Sequence, residues 1–539
     1  MSGSDVEPAV LPVVPAASAP RDAGREIARG ARRLSALTML SRVLGLVREQ
    51  IFAVTLGASG VSDAFLAAFR IPNLLRDLFA EGALSTAFVP TYVKTLKQEG
   101  RPAAFLLGNR VLTTLTFYLG ALAVLGMAWP GPVVRLVAAG FSPEKRELTA
   151  HLVRIMMPYL PIISLAVVAM GALNAESRYT APGLASSMFN LVAIAGGGTL
   201  FLLGVPPRTA VIVWAVLTLV GGLGQLAVQF PPLWKLGWRP AFAPDLRLRH
   251  EGTRRIAALM APATLSVAAV QINVVVNTSF ASLCAEGSIS WLGYAFRLMQ
   301  LPIGVFGVAI GTTSLTHLAR DAAANDFEAL RQTLRRGIQL VLFLTIPSTV
   351  GLAVLGEPII GLIFQHGRFS AHATVETARA LSGFALGLAA YSAIKVVAPA
   401  FYALGKTRVP LFASLAAVGC NVVWNILTFR RFGHVGLAVG TSIAAITNLA
   451  VLIIAFQITV GHLINRALMG AIGRIVVAAA LMAAVIWPAA RWLAAHVPAN
   501  TAGRAVTVAV PIVLGTVVYF AAARLMKVAE LGALMRRRK

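Results

Sequence analysis

Residues 41–90 read SRVLGLVREQIFAVTLGASGVSDAFLAAFRIPNLLRDLFAEGALSTAFVP. The stretch is two apolar runs of membrane-spanning length, yet Arg42, Arg48, Glu49, Asp63, Arg70, Arg76, Asp77 and Glu81 interrupt them. A charged side chain near the centre of a bilayer costs about 2.5 to 3.5 kcal/mol even on the lenient insertion scale, so several in neighbouring helices cannot all face lipid. They must line a wet, polar interior.

The rest of the chain fits that setting. Its 539 residues are 57% hydrophobic and only 13% charged, with a mean hydropathy of +0.77, whereas a soluble chain carries about a quarter charged residues. A polytopic, all-α membrane protein is expected. The net charge of +26 falls in short loops between apolar runs. Without a basic domain interleaved with aromatics, this pattern argues against nucleic acid as a partner. Cys284 and Cys420 lie far apart in apolar surroundings, no Cys/His spacing suits a metal, and neither a metal nor a cofactor is expected.

Apolar runs long enough to cross a hydrocarbon core recur near 34–56, 62–92, 106–128, 150–173, 184–204, 209–229, 256–283, 288–316, 338–355, 379–403, 409–429, 435–458, 470–490 and 505–523. About 14 transmembrane helices are therefore expected. Residues 1–33, rich in Ala, Pro and Gly, read as a disordered cytoplasmic tail. The span pattern then divides into an N-terminal lobe of six helices (34–229), a Pro- and Arg-rich cytoplasmic linker (230–255), a second six-helix lobe (256–458), and two further helices with a basic tail (459–539). Lys and Arg in short loops stay on the cytoplasmic side. Lys94, Lys97 and Arg101, then Arg247, Arg249, Arg254 and Arg255, and the final Arg536 to Lys539 thus place both termini in the cytoplasm.

Two short repeats suggest that the first twelve helices are a duplicated six. Ala68-Phe69-Arg70 recurs as Ala295-Phe296-Arg297, 227 residues on. The segment Asn174 to Pro182 corresponds to Tyr402 to Pro410, 228 residues on. Six helices per half is an even number, so both halves enter from the same side and the pseudo-two-fold axis runs along the membrane normal, with a path between two lobes.

Helix geometry sorts the charges. Arg42 and Glu49, seven residues apart, share a face, while Arg48 is turned about 120° away; a bend at Gly45 would bring the two arginines toward one cavity. Pro72 predicts a helix break at Arg70-Ile71-Pro72. A helix restarting there would aim its N-terminus at a cavity flanked by Arg70 and Arg76, an anion site, with Asn73, Asp77 and Glu81 on one stripe. The competing reading pairs Arg76, Asp77 and Glu81 with neighbours to hold helices together. Arg297 has no acidic residue within a turn and needs an anion from another helix or a ligand. Lys395 is either a ligand-facing cation or a residue reaching back to the cytoplasmic interface. Acidic residues in the spans are confined to Glu49, Asp63, Asp77 and Glu81, so a coupled cation would use the N-terminal lobe or neutral oxygens. No nucleotide-binding or catalytic motif is present, and the expected driving force is the membrane potential or a monovalent cation.

The segments Ser41-Arg-Val-Leu-Gly45, Asp63-Ala-Phe, Arg70-Ile-Pro-Asn-Leu-Leu-Arg76, Phe79-Ala-Glu-Gly-Ala83, Ala87-Phe-Val-Pro90 and Ala398-Pro-Ala-Phe-Tyr402 closely resemble the MurJ/MviN-type lipid II flippases of bacteria. The resemblance runs from about Leu34 to the C-terminus. It implies a 14-helix, two-lobed transporter of the bacterial inner membrane, within the multidrug/oligosaccharidyl-lipid/polysaccharide exporter superfamily. Its members carry undecaprenyl-pyrophosphate-linked disaccharide-pentapeptide, lipid II, to the outer leaflet for peptidoglycan synthesis. The resemblance assigns functional roles to Arg42, Arg48, Asp63, Arg76 and Arg297, and implies that the last two helices form a hydrophobic groove for the polyprenyl tail. Phe296 and Gln300 stand at positions that are acidic in some members, so salt-bridge gating at Arg297 is not expected from its own helix. Substrate-binding or transport residues are therefore Arg42, Arg48, Asp63, Arg70, Arg76, Arg297 and Lys395, with Glu49, Asp77 and Glu81 as candidates for gating or ion coupling. Expected partners are lipid II, membrane lipids and cell-wall synthesis proteins, and the expected state is a monomer. Export of another lipid-linked sugar or of drugs is the alternative transport reading. A membrane-embedded enzyme acting on polyprenyl phosphates would need carboxylates or histidines at a membrane face, and that constellation is missing.

Overall fold

The computed structural model describes residues 21–81, 83–498 and 500–535, with side chains left undescribed at 21–36, 38, 80, 81, 83, 263, 265, 266, 269, 270 and 533–535. All regular elements among the described residues are helical. The first half holds α1 (Arg21–Leu56), α2 (Gly60–Arg76), α3 (Ala83–Glu99), α4 (Arg101–Ala128), α5 (Pro130–Val137), α6 (Pro143–Met156), α7 (Tyr159–Ala175), α8 (Thr180–Leu202) and α9 (Pro207–Ala227). The short α10 (Phe230–Lys235) leads into the linker. The second half holds α11 (Glu251–Ser282), α12 (Ser288–Pro302), α13 (Val308–Ala323), α14 (Phe327–Ile363), α15 (Ala371–Ala403) and α16 (Arg408–Thr459). Then come α17 (Arg466–His496), α18 (Thr501–Leu525) and α19 (Ala529–Met535). The last long pair packs against α14.

Ten helical stretches are long and apolar enough to cross a membrane. α16 covers two of the expected spans, because its backbone leaves helical geometry at Gly433 (φ 53°, ψ −138°), a conformation glycine alone adopts without strain. The charged α1, the α2–α3 pair and α11 lie where the remaining spans are expected but are not among the ten, so the count of 14 remains an expectation.

Two expectations need correction. Residues 21–33 belong to α1 rather than to an unstructured tail. The break expected at Pro72 does not form either: α2 runs through Pro72 to Arg76, and a five-residue π turn, Asp77–Glu81, follows. Proline removes one backbone donor, which leaves the carbonyl four residues earlier without its helical partner, a loss that membrane helices tolerate when neighbouring helices pack around them. No helix N-terminus faces Arg70 and Arg76, so no dipole-assisted anion site exists there. The same device recurs in the second half, where Pro302 ends α12 and a π turn spans Ile303–Gly307.

The halves meet along α3 and α11 and along α2 and α12. Phe52, Phe65, Trp214, Tyr294, Phe364, Phe384 and Leu437, from both halves, belong to one buried apolar cluster. Asp63 on α2 bonds Ser290 on α12, and their separation is the 227-residue repeat offset itself. Two residues separated by that offset thus touch across the two halves. Within the second half, small residues bring α15 and α16 close: a Cβ added at Gly387 would lie 2.7 Å from the Ser442 Cα. Helix association in lipid relies on such backbone approach.

Candidate functional site

A polar chamber of about 380 Å³ lies mainly among helices of the first half. Arg48 reaches it from α1, Arg70, Asn73 and Arg76 from α2, Tyr159 from α7, Ser186, Phe189 and Asn190 from α8, Gln225 from α9, and Arg297 from α12. Arg70 and Arg297, the two repeat-related arginines, therefore face one space from opposite halves.

The carboxylates nearby are few. Glu49, buried on α1, is shared: its Oε1 pairs with Arg48 and, at 2.8 Å, with Arg297 Nη1. Arg297 thus has the inter-helix partner that its own helix does not supply. Arg76 donates from Nη2 to Asp77 Oδ1 at 2.8 Å, and Asp77 Oδ2 also accepts from Gln271 of α11 at 3.0 Å. Arg70 makes no ion pair or hydrogen bond among the described residues, and its Nε is buried without a partner. Arg48 also stacks over the Phe189 ring, 5.3 Å from its centroid, a contact that costs the guanidinium little hydration.

The other expected residues lie elsewhere. Arg42 is exposed, with its guanidinium against Gly304 of the second π turn. Lys395 is exposed on α15 and does not line the chamber. Glu81 ends the first π turn, and its side chain falls outside the described residues.

Asp63 is not in the chamber but at the end of the bundle where α1 ends and α2 begins, here the distal end. It is 2% exposed and its carboxylate is saturated. Oδ2 accepts from Lys145 Nζ at 3.1 Å and from Gly287 N at 2.8 Å, while Oδ1 accepts from Ser290 N at 2.9 Å and Ser290 Oγ at 2.7 Å. The favour is returned, since Gly60 N, the first residue of α2, donates to Glu286 Oε1 at 2.6 Å. Each helix N-terminus is capped by a carboxylate from the other half, where dipole and charge agree. Gly287 makes this possible: its φ is 93°, and a Cβ there would meet the Trp291 ring at 2.8 Å. A second tie is Arg368, whose Nη1 donates to Thr55 O at 2.8 Å and Val205 O at 2.9 Å. Lys145, Glu286, Gly287, Ser290 and Arg368 carry no motif in the sequence. Only the repeat offset linking Asp63 to Ser290 could have drawn attention to them.

The family model for the lipid II flippase MurJ matches residues 52–501. The chain belongs to the MurJ lipid II flippase family. Members are transporters rather than enzymes. The MurJ flippase of Burkholderia cenocepacia is 37% identical over 426 residues, covering 77% of this chain and 81% of that protein. The probable MurJ flippase of Rhizobium meliloti is 36% identical over 500 residues, 90% of this chain and 91% of that one. Among solved structures, a MurJ lipid II flippase in an inward closed conformation aligns with a TM-score of 0.76 at 27% identity, covering 93% of this chain and 99% of that chain. An inward-facing multidrug transporter of the MATE family aligns at 0.64 and 16% identity, which extends the shared fold across the wider superfamily.

Proposed function

We propose that this protein carries lipid II from the cytoplasmic to the periplasmic leaflet of the bacterial inner membrane, and that Arg48, Arg70, Arg76 and Arg297 hold its pyrophosphate head. The observation that carries this reading is the electrostatic imbalance of the chamber. Four guanidinium groups from both halves converge on one space; two share a single carboxylate, and one has none. An anion is what such a site lacks. Pyrophosphate, with several acceptor oxygens, suits arginine forks better than point charges, because bidentate contacts replace the water it leaves behind.

Alternating access follows from the seal. With the distal end, here periplasmic, closed by Asp63 and Arg368, the chamber is read as loading from the cytoplasmic side, where both termini lie. Transfer then requires the reciprocal caps to part and the halves to rock about the α2–α12 axis. The driving force in this reading is the membrane potential, about 2.3 kcal/mol per charge per 100 mV, or a monovalent cation. The protein works as a monomer in contact with membrane lipids, and cell-wall synthesis proteins are its natural recipients. Depletion in the native cell with a leaflet-access assay for the precursor tests the proposal: accumulation on the inner face is expected, and unchanged outer-leaflet delivery would refute it. Competition by purified lipid II in a binding assay separates this reading from export of drugs or of other lipid-linked sugars.

A further inference from the structure

Arg70 lines two spaces. One is the polar chamber; the other is an apolar groove of about 410 Å³ with walls that include Leu74 of α2, Leu125 of α4, Leu136 of α5 and Val275 of α11, with Trp129 at the α4–α5 turn. The groove lies among α2, α4 and α5 of the first half, with Val275 of α11 at one edge. Its rim is open, with Leu125 51%, Trp129 64% and Leu136 67% exposed, so in a membrane it faces hydrocarbon.

We propose that this groove takes the part of the polyprenyl chain next to the pyrophosphate while the head group is in the chamber. The proposal rests on the flippase reading and adds a route for the tail that is distinct from the groove expected at α17 and α18. Three features support it. The transported molecule is an amphiphile, and a polar chamber joined to an apolar groove reproduces that division. The joint is a cation with no hydrogen bond or ion pair among the described residues, its Nε buried, so a phosphate there would add a counter-ion rather than displace one. Asp77, which opens the π turn after α2, is already engaged by Arg76 and Gln271. A phosphate at Arg70 would therefore place its first isoprene units at the mouth of a dry cleft. The groove's size suits a stretch of chain, with the remainder in bulk lipid.

The test uses the full chain in nanodiscs of zwitterionic lipid, with lipid II binding read by native mass spectrometry for the undecaprenyl form and for a farnesyl form. Leu125→Trp and Leu136→Trp fill the groove from lipid-exposed positions, and Ile458→Trp, 79% exposed on α16, controls for added bulk. Affinity for the undecaprenyl form is expected to fall about tenfold in the groove variants, with the farnesyl form and the control changed less than about twofold. Equal effects on the two forms, or none, overturn the proposal while leaving the flippase reading intact. Full competition by phosphatidylglycerol also overturns it, since the groove would then be an ordinary phospholipid site. Failure of the unmodified protein to bind either form overturns both readings.

Discussion

The distal seal and the arginine chamber are built from the same kinds of charge in opposite proportion. At the seal one carboxylate, Asp63, receives four donors, from Lys145, Gly287 and Ser290. In the chamber, Glu49 is divided between two arginines and Arg70 has no hydrogen bond or ion pair among the described residues. A saturated buried charge holds structure together, whereas an under-neutralised one stores affinity for something absent. The difference is what supports the proposal that the seal holds the halves closed and the chamber receives an anion.

Breaking the seal should have the largest effect. Asp63→Ala leaves Lys145 and two backbone N–H groups without their acceptor, a loss of roughly 3 to 5 kcal/mol for a buried ionic network. A cysteine placed at Leu66, with Cys284 and Cys420 replaced, should then become reactive to a membrane-impermeant thiol reagent added outside. Arg297→Ala comes next. It removes the only chamber arginine contributed by the second half, and the loss of a charge-assisted contact, about 1.5 to 3 kcal/mol, should abolish growth support in a depletion strain and weaken lipid II binding by ten- to a hundredfold.

Glu49→Gln sharpens the contrast because its effects run in opposite directions. Arg48 and Arg297 lose their shared counter-ion, so thermal stability should fall, yet anion affinity should rise by up to about tenfold, about 1.4 kcal/mol. Unchanged or weaker binding in this variant would mean that the carboxylate positions the arginines rather than merely neutralising them. Arg368→Ala removes two hydrogen bonds to carbonyls of the first half, about 1 to 3 kcal/mol. It should leak to the thiol reagent less than Asp63→Ala. Lys395→Ala, exposed and away from the chamber, should change growth support and binding by less than about twofold, within the spread of surface substitutions.

Much of the site was legible because the bilayer makes intramembrane charge so costly that every such residue is informative. Arg48, Arg70, Arg76 and Arg297 were all marked out on that ground, and both arginines of the Ala-Phe-Arg repeat, Arg70 and Arg297, line the chamber. Arg42, Asp63 and Lys395 were marked out equally, yet they lie outside the chamber lining. Cost identifies a residue that must be sheltered but not the shelter it finds. Pro72 misled for a related reason: the lost hydrogen bond is a local fact, while whether the helix continues past it depends on the helices packed around it.

The sequence by itself determined that this chain is a helical membrane protein with a duplicated half and a wet interior, because hydropathy, charge cost and repeat spacing are properties of the chain alone. Tertiary structure decided which charges pair. Glu49 meeting Arg297, Asp63 capping α12, Glu286 capping α2 and Arg70 remaining unpaired all depend on how two distant segments dock, and electrostatic energy inside a protein follows distances between atoms that no span prediction contains.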